Sequence, residues 1–407
     1  MRVPIVLLWL LAAPVAWAQT PPAANDPAMA ACLLDLVARA KEQGVTPALA
    51  EAQLSGLTPD PEVLAATHKQ AEFEKPVWAY LDSAVSDEAV ADGRVKLAAE
   101  GSLPAIEAAH GVDRHVLVAI WGIESGYGSV LTDPRKVRPV LRSLATLACS
   151  RDERVALWTE ELVAALRILD LGRTTPEHLT GSWAGAMGHT QFMPTTYLRH
   201  AVDFDGDGRA DIWTSAPDAL ASTAHDLRSL GWRPGEGWGG EVVLPAGFDY
   251  RLADETTVRT LAEWRGFGLT PAGRTIGADT DTARLVLPAG ARGPAFLLRP
   301  NFQALLGYNA AFSYALAVAH LADRLRGEPG SVQGFVQAWP RGDRPLGADE
   351  RREVQAALEA QGHPVGGVDG RIGPRSRAAI RAYQASVGLV PDGYADSALL
   401  DRLRAGD

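Results

Sequence analysis

The stretch that most constrains this chain is Val116-Leu117-Val118-Ala119-Ile120-Trp121-Gly122-Ile123-Glu124-Ser125-Gly126-Tyr127-Gly128. Val116, Ile120 and Ile123 recur at helical spacing, so the run predicts a helix with a buried face. Glu124 leaves that helix beside the buried face, and Gly126 and Gly128 supply the open backbone a helix end needs. A carboxyl group set against apolar neighbours is disfavoured as an anion and keeps its proton to higher pH. That is what a general acid requires. An ordinary surface glutamate at a helix end reads the same way in isolation, so the rest of the chain must decide.

Much of that chain carries helical signals. Met29–Lys41 is amphipathic, and Pro47–Leu54 has Thr46 as an N-cap and Pro47 at its first position. Val90–Glu100, Arg154–Leu171 and Leu220–Leu230 are each closed by a glycine, and Asp113 is placed to cap the Glu124 helix. A further helix is expected over Asn309–Arg326. Between residues 234 and 300 Gly and Pro become frequent, and Glu241–Leu244 and Ala283–Leu287 read as strands. The expectation is a mainly α chain: a helical domain over 28–326 with a small mixed α/β insertion at 234–300, and a linker at 327–345. A C-terminal module of three short helices follows over 346–404. In that module Asp369-Gly370 and Asp392-Gly393 repeat a turn signal after an apolar stretch, which hints at a pseudo-repeat.

Length and composition narrow the setting. A chain of 407 residues implies two or three domains, and 47% hydrophobic with 22% charged residues is ordinary globular material. A net charge of -10 argues against nucleic acid or an anionic membrane as partner. Residues 1–18 read as a signal peptide: Arg2, an apolar stretch from Ile5 to Leu11, and Ala16-Trp17-Ala18 before Gln19. No cysteine follows the cleavage point, and no later run is apolar enough to span a membrane. A soluble, exported, periplasmic protein is expected. In that oxidising setting Cys32 and Cys149 are expected to bridge, two buried free thiols being the alternative.

Three further stretches carry chemistry. Gly181-Ser182-Trp183-Ala184-Gly185-Ala186-Met187-Gly188-His189-Thr190-Gln191-Phe192-Met193-Pro194 combines small residues with neutral hydrogen-bonding groups and aromatic faces. That combination suits a sugar ring, although tight helix packing explains the small residues equally well. Asn301 to Tyr314 brings Tyr308, Asn309 and Tyr314, with Tyr308 and Asn309 expected at a helix start. Asp203-Phe204-Asp205-Gly206-Asp207-Gly208-Arg209-Ala210-Asp211 places acids at the first, third, fifth and ninth positions and Gly at the sixth, like the first part of an EF-hand Ca²⁺ loop. Thr214 stands where that loop needs a bidentate Glu, and Asp218 offers a carboxylate slightly further on.

These stretches in this order resemble the membrane-bound lytic transglycosylase B family, enzymes that cut bacterial peptidoglycan, over roughly Cys32 to Leu325. The resemblance implies a lysozyme-like helical domain with Glu124 as the sole catalytic carboxylate. It implies that Ser182, Gln191 and Phe192 line sugar subsites and that Tyr308, Asn309 and Tyr314 close the cleft. A structural Ca²⁺ would be held by Asp203, Asp205, Asp207, the Arg209 carbonyl and Asp218, and the chemistry itself would need no cofactor. Trp213 and Asp218 are one residue further apart than expected, and the lipid-bearing cysteine of the membrane-bound form is absent. Val368-Asp369-Gly370-Arg371-Ile372-Gly373-Pro374 resembles the three-helix peptidoglycan-binding module. The implied reaction breaks the β-1,4 bond between N-acetylmuramic acid and N-acetylglucosamine and leaves a 1,6-anhydromuramyl end on the glycan strand. A hydrolytic muramidase or a non-catalytic wall-binding protein are the competing readings.

Overall fold

The computed structural model describes residues 27–67, 75–327 and 334–406. The segment expected to be a signal peptide, residues 1–18, lies outside the described residues. Two apolar cores build the large domain. The first is centred on the helix Arg114–Ser125, whose N-terminus is capped by the Asp113 carboxylate accepting from His115 N–H at 2.8 Å. Val116 through Trp121 are each no more than 4% exposed, so this helix is enclosed on every side. The helix Phe312–Arg326 crosses it, and Asp87–Ala99, Leu103–His110 and Ala216–Ser229 complete the wrapping. Each fully buried Val, Leu or Ile there contributes about 1.5–3 kcal/mol of transfer free energy.

The second core joins the helices Val140–Ala148 and Val155–Asp170 to the N-terminal pair Pro27–Glu42 and Pro47–Leu54. Cys32 and Cys149 form a disulfide across it, spanning 117 residues. Tyr308 packs against both cores.

The insertion is an antiparallel sheet with its own core around the fully buried Trp264. Two short strands, β1 (Arg138–Pro139) and β2 (Thr180–Gly181), precede it. Its strands are β3 (Gly239–Val243), β4 (Arg259–Thr260), β5 (Thr270–Pro271), β6 (Thr282–Val286) and β7 (Ala295–Leu298), in spatial order β4-β6-β7-β3-β5. Strand β7 escaped the sequence reading because it is central and buried on both faces, so its residues do not alternate. The helix expected over Asn309–Arg326 is present as Phe312–Arg326, and a second helix, Pro300–Tyr308, precedes it at a bend of 119°. Asn309 breaks them: its backbone is extended, and its side-chain oxygen accepts from Ala311 N–H at 3.0 Å. Tyr308 and Asn309 therefore end a helix rather than begin one. No single helix among the described residues is long and apolar enough to cross a membrane.

The C-terminal module has the helices Ala348–Ala360, Pro374–Ser386 and Ser397–Ala405 around Val354, Leu358, Ile380, Tyr383 and Leu400. Part of the segment read as a linker is packed: Phe335 meets Phe296 edge-on at 5.0 Å, and Trp339 lies 6.0 Å from Trp78. The module rests on the insertion through polar contacts. Arg292 pairs with Asp343 and Asp396, Arg377 with Glu255, and buried Arg381 donates to the Ala253 carbonyl.

Candidate active site

Glu124 stands half-buried in the last turn of the central helix. The helix ends on Gly126 in the left-handed conformation (φ 56), and Tyr127 follows in the same region (φ 57). That conformation is costly for a tyrosine, and burial compensates it. The ring lies where a side chain on Gly122 would be, and its hydroxyl donates to the Ala89 carbonyl at 2.6 Å.

Ser125 ties this corner to the small-residue loop. Its fully buried hydroxyl donates to the His189 carbonyl at 2.6 Å and accepts from Gly128 N–H at 3.0 Å. Trp121 Nε1–H donates to His189 Nδ1 at 3.0 Å, so neutral His189 carries its proton on Nε2. Burial pushes His189 down to about 4. Gly188 (φ 70) is required here because a Cβ would run into the Ile212 carbonyl.

From the helix Phe312–Arg326 packed against it, Tyr314 O–H donates to Glu124 Oε1 at 2.6 Å. Tyr308 lies parallel to Tyr314, 6.5 Å between centroids and 6° between planes, and donates to the Thr190 carbonyl at 2.5 Å. Burial, and then the charge of Glu124, hold both phenols well above their ordinary range, so they act as neutral donors. The corner thus joins one carboxylate to a phenol 190 residues away, with Tyr308 of the preceding helix stacked on that phenol.

The other expected sugar-site residues are distributed unevenly. Gln191 is in the left-handed region (φ 55) with its amide donating to the Gly188 carbonyl at 2.9 Å. Ser182 accepts from Ala184 and Ala186 N–H and closes its own turn. Phe192 is only 2% exposed and sits 6.2 Å from Tyr308, supporting that ring. Gln191, Phe192 and Tyr308 border a cavity of about 350 Å³, and His189, Trp121 and Lys96 one of about 670 Å³. The sequence reading missed Tyr80, on the helix Val77–Ala84, which packs against the same core as Tyr314. Only its aromatic type could have signalled it.

In the acidic loop the carboxylates of Asp203, Asp205 and Asp218 converge, their oxygens within 4.8 Å of one another. Asp218 is fully buried and accepts from the N–H groups of Phe204, Asp205 and Asp211. Burial, with Asp205 adding to it, pushes its carboxyl up. Asp207 instead accepts from Arg209 N–H and stands outside the converging group of side-chain carboxylates. A buried carboxylate crowded by two others, all hard oxygen donors, fits a Ca²⁺ ion.

A mainly helical domain of lysozyme-like fold, carrying a small C-terminal three-helix module, is the class that this architecture defines. Residues 28–323 match the transglycosylase SLT domain, and the chain belongs to that family; residues 347–403 match the putative peptidoglycan binding domain. The chain is 33% identical over 217 residues to membrane-bound lytic murein transglycosylase B of Escherichia coli, covering 52% of this chain and 56% of that protein. It is thus aligned with little more than half of that relative's length. Among solved structures it is similar to SltB3 from Pseudomonas aeruginosa in complex with NAG-anhNAM-pentapeptide. There the identity is 45% and the TM-score 0.86, over 93% of this chain and all of the other. It also resembles the Escherichia coli lytic transglycosylase Slt35 in complex with calcium, at 26% identity and TM-score 0.61, over 74% of this chain and 93% of that one.

Proposed function

We propose that this protein is a lytic transglycosylase that cuts the β-1,4 bond between N-acetylmuramic acid and N-acetylglucosamine in periplasmic peptidoglycan. The observation that carries the reading is the 2.6 Å bond from Tyr314 O–H to Glu124 Oε1. A hydrogen bond donated to one carboxylate oxygen leaves the proton of the acid on the other, Oε2, in position to be given away.

Glu124 Oε2–H protonates the bridging oxygen, the C1–O bond breaks, and an oxocarbenium-like centre develops at C1. The substrate's acetamido oxygen stabilises that centre, as in substrate-assisted glycosidases. Glu124, now ionised and held by Tyr314, takes the proton of the muramyl 6-hydroxyl. O6 then bonds to C1, giving the 1,6-anhydro end and a Glu124 that is again protonated. Tyr308, Asn309 and Gln191 border the sugar, Ser182 shapes the loop beneath it, and Phe192 backs Tyr308. Asp203, Asp205 and Asp218 would hold a structural Ca²⁺, and Asp207 and the Arg209 carbonyl are the further ligands that the family resemblance implies. The ion enters no step of the reaction.

The test is the product. Mass spectrometry of sacculi digested by the purified protein is expected to show anhydromuramyl ends. Reducing ends alone would overturn the reading in favour of hydrolysis, and undiminished clearance by Glu124→Gln would remove Glu124 from the chemistry.

A further inference from the structure

The C-terminal module contains the same clamp twice. In the first copy, buried Gln355 accepts from Gly370 N–H at 2.7 Å and donates to Asp369 Oδ1 at 3.0 Å. In the second, buried Gln384 accepts from Gly393 N–H at 2.8 Å and donates to Asp392 Oδ1 at 2.9 Å. Each Oδ1 also accepts from the N–H two residues on, Arg371 at 2.8 Å and Tyr394 at 3.0 Å. Both glycines have φ 76, and each clamp leads into the next helix, which begins at Pro374 or Ser397.

The copies differ in what the remaining oxygen does. Asp392 Oδ2 accepts a main-chain N–H from outside the module, that of Ala291 in the insertion, at 2.9 Å. The seated segment is a tight turn of small residues, Gly290-Ala291, followed by Arg292. Arg292 lies 6.0 Å over the Tyr394 ring and pairs with Asp396 at 2.6 Å. At the first clamp Asp369 is exposed, and its Oδ2 accepts nothing among the described residues. Tyr394 and Asp396, which take the cation, are replaced there by Arg371 and Gly373. Arg371 is exposed and has no ion pair among the described residues, and Val368 beside it is 48% exposed.

We propose that the Asp369–Arg371 corner is the module's ligand site and that it takes a short acidic peptide of small residues. One main-chain N–H of the ligand bonds to Asp369 Oδ2, as Ala291 bonds to Asp392. A carboxylate of the ligand then meets the Arg371 guanidinium, where the second copy receives Arg292 on an aromatic ring and an acid. The reversal of charge selects the ligand: the filled copy holds a cationic turn, and the open copy holds an anionic one. The stem peptides of peptidoglycan have this chemistry, so the inference rests on the wall-degrading reading above and names the part of the polymer that the module grips.

The test uses the full chain carrying Glu124→Gln, so that the polymer is not consumed, and measures co-sedimentation with intact sacculi and with glycan stripped of its peptides by an amidase. Asp369→Asn keeps Oδ1 as the acceptor that builds the clamp and turns only the open oxygen into a donor. It is expected to weaken binding to intact sacculi by about tenfold, the loss of one charge-assisted hydrogen bond, and to leave binding to stripped glycan unchanged. Arg371→Glu, outside the clamp, should act in the same direction, whereas Asp392→Asn should not lower affinity for sacculi. Undiminished binding by both Asp369→Asn and Arg371→Glu overturns the proposal, as does equal affinity of the parent for intact and stripped polymer. A parent that binds neither polymer would instead strike at the peptidoglycan reading.

Discussion

Two groups of carboxylates in this molecule are handled in opposite ways. At the cleft, Glu124 faces a phenolic donor, and its helix end is locked by Ser125, Trp121 and His189 to a loop from another part of the chain. In the acidic loop, Asp203, Asp205 and Asp218 face one another, and the buried one is held only by backbone N–H groups. A phenolic donor beside a single carboxylate supports it both as an acid and as a base. Three carboxylates drawn together leave negative charge uncompensated, which suits a fixed cation and no proton chemistry. What surrounds a carboxylate therefore says more about its task than how deeply it lies.

The sharpest way to break this contrast is Glu124→Gln. Activity on sacculi should fall by about 10³-fold or more, within the span of general acid–base catalysis, while the melting temperature stays level. Tyr314→Phe removes the donor but keeps the ring and its stacking. Turnover should fall by about 10- to 100-fold, the equivalent of one hydrogen bond to a charged group, and a wild-type rate would detach Tyr314 from the reaction. Calcium tests the other region. At about a hundredfold excess over its dissociation constant, Ca²⁺ should add about 2.7 kcal/mol of stability, read as an upward shift in melting temperature that a chelator reverses. Asp218→Asn should abolish the shift without reproducing the Glu124→Gln defect.

The smallest effect concerns pH. His189 is held at about 4 by burial, below its ordinary value of 6.5. Its proton is therefore bound preferentially by the unfolded chain, and stability falls as pH drops from about 6.5 towards 4. Replacing it with Asn, which can still accept from Trp121, should flatten that fall by on the order of 1–2 kcal/mol after allowance for partial exposure. Denaturant titrations across this range read the slope.

The Glu124 corner was legible because its signal is local: helical spacing, one acid, then two glycines. Tyr314 was not legible in that sense. Nothing within its own stretch says that it meets a residue 190 positions earlier, and only family resemblance singled it out. The division of the last core helices was hidden because Asn309 sits between two apolar runs and reads as a start as readily as a stop. The Asp-Gly repeat was visible in the sequence, whereas the glutamines that make it a clamp were not. A buried Gln on an amphipathic helix looks like a surface residue until its partners are in place. The acidic loop fared similarly: spacing marked its acids, but the structure draws together Asp203, Asp205 and Asp218 while Asp207 turns to its own backbone.

Tyr308 touches both cores and lies parallel to the ring that holds Glu124. In mechanical terms it is a spacer clamped between two jaws, whereas both ends of the 2.6 Å bond at Glu124 belong to the first core alone. Hydrogen bonds weaken steeply once stretched beyond their normal range, so a Tyr308 displaced by the second core would let the Tyr314 ring it backs shift from the acid before either core lost its packing. Loosening the second core far from Glu124 should therefore be felt first as lost turnover.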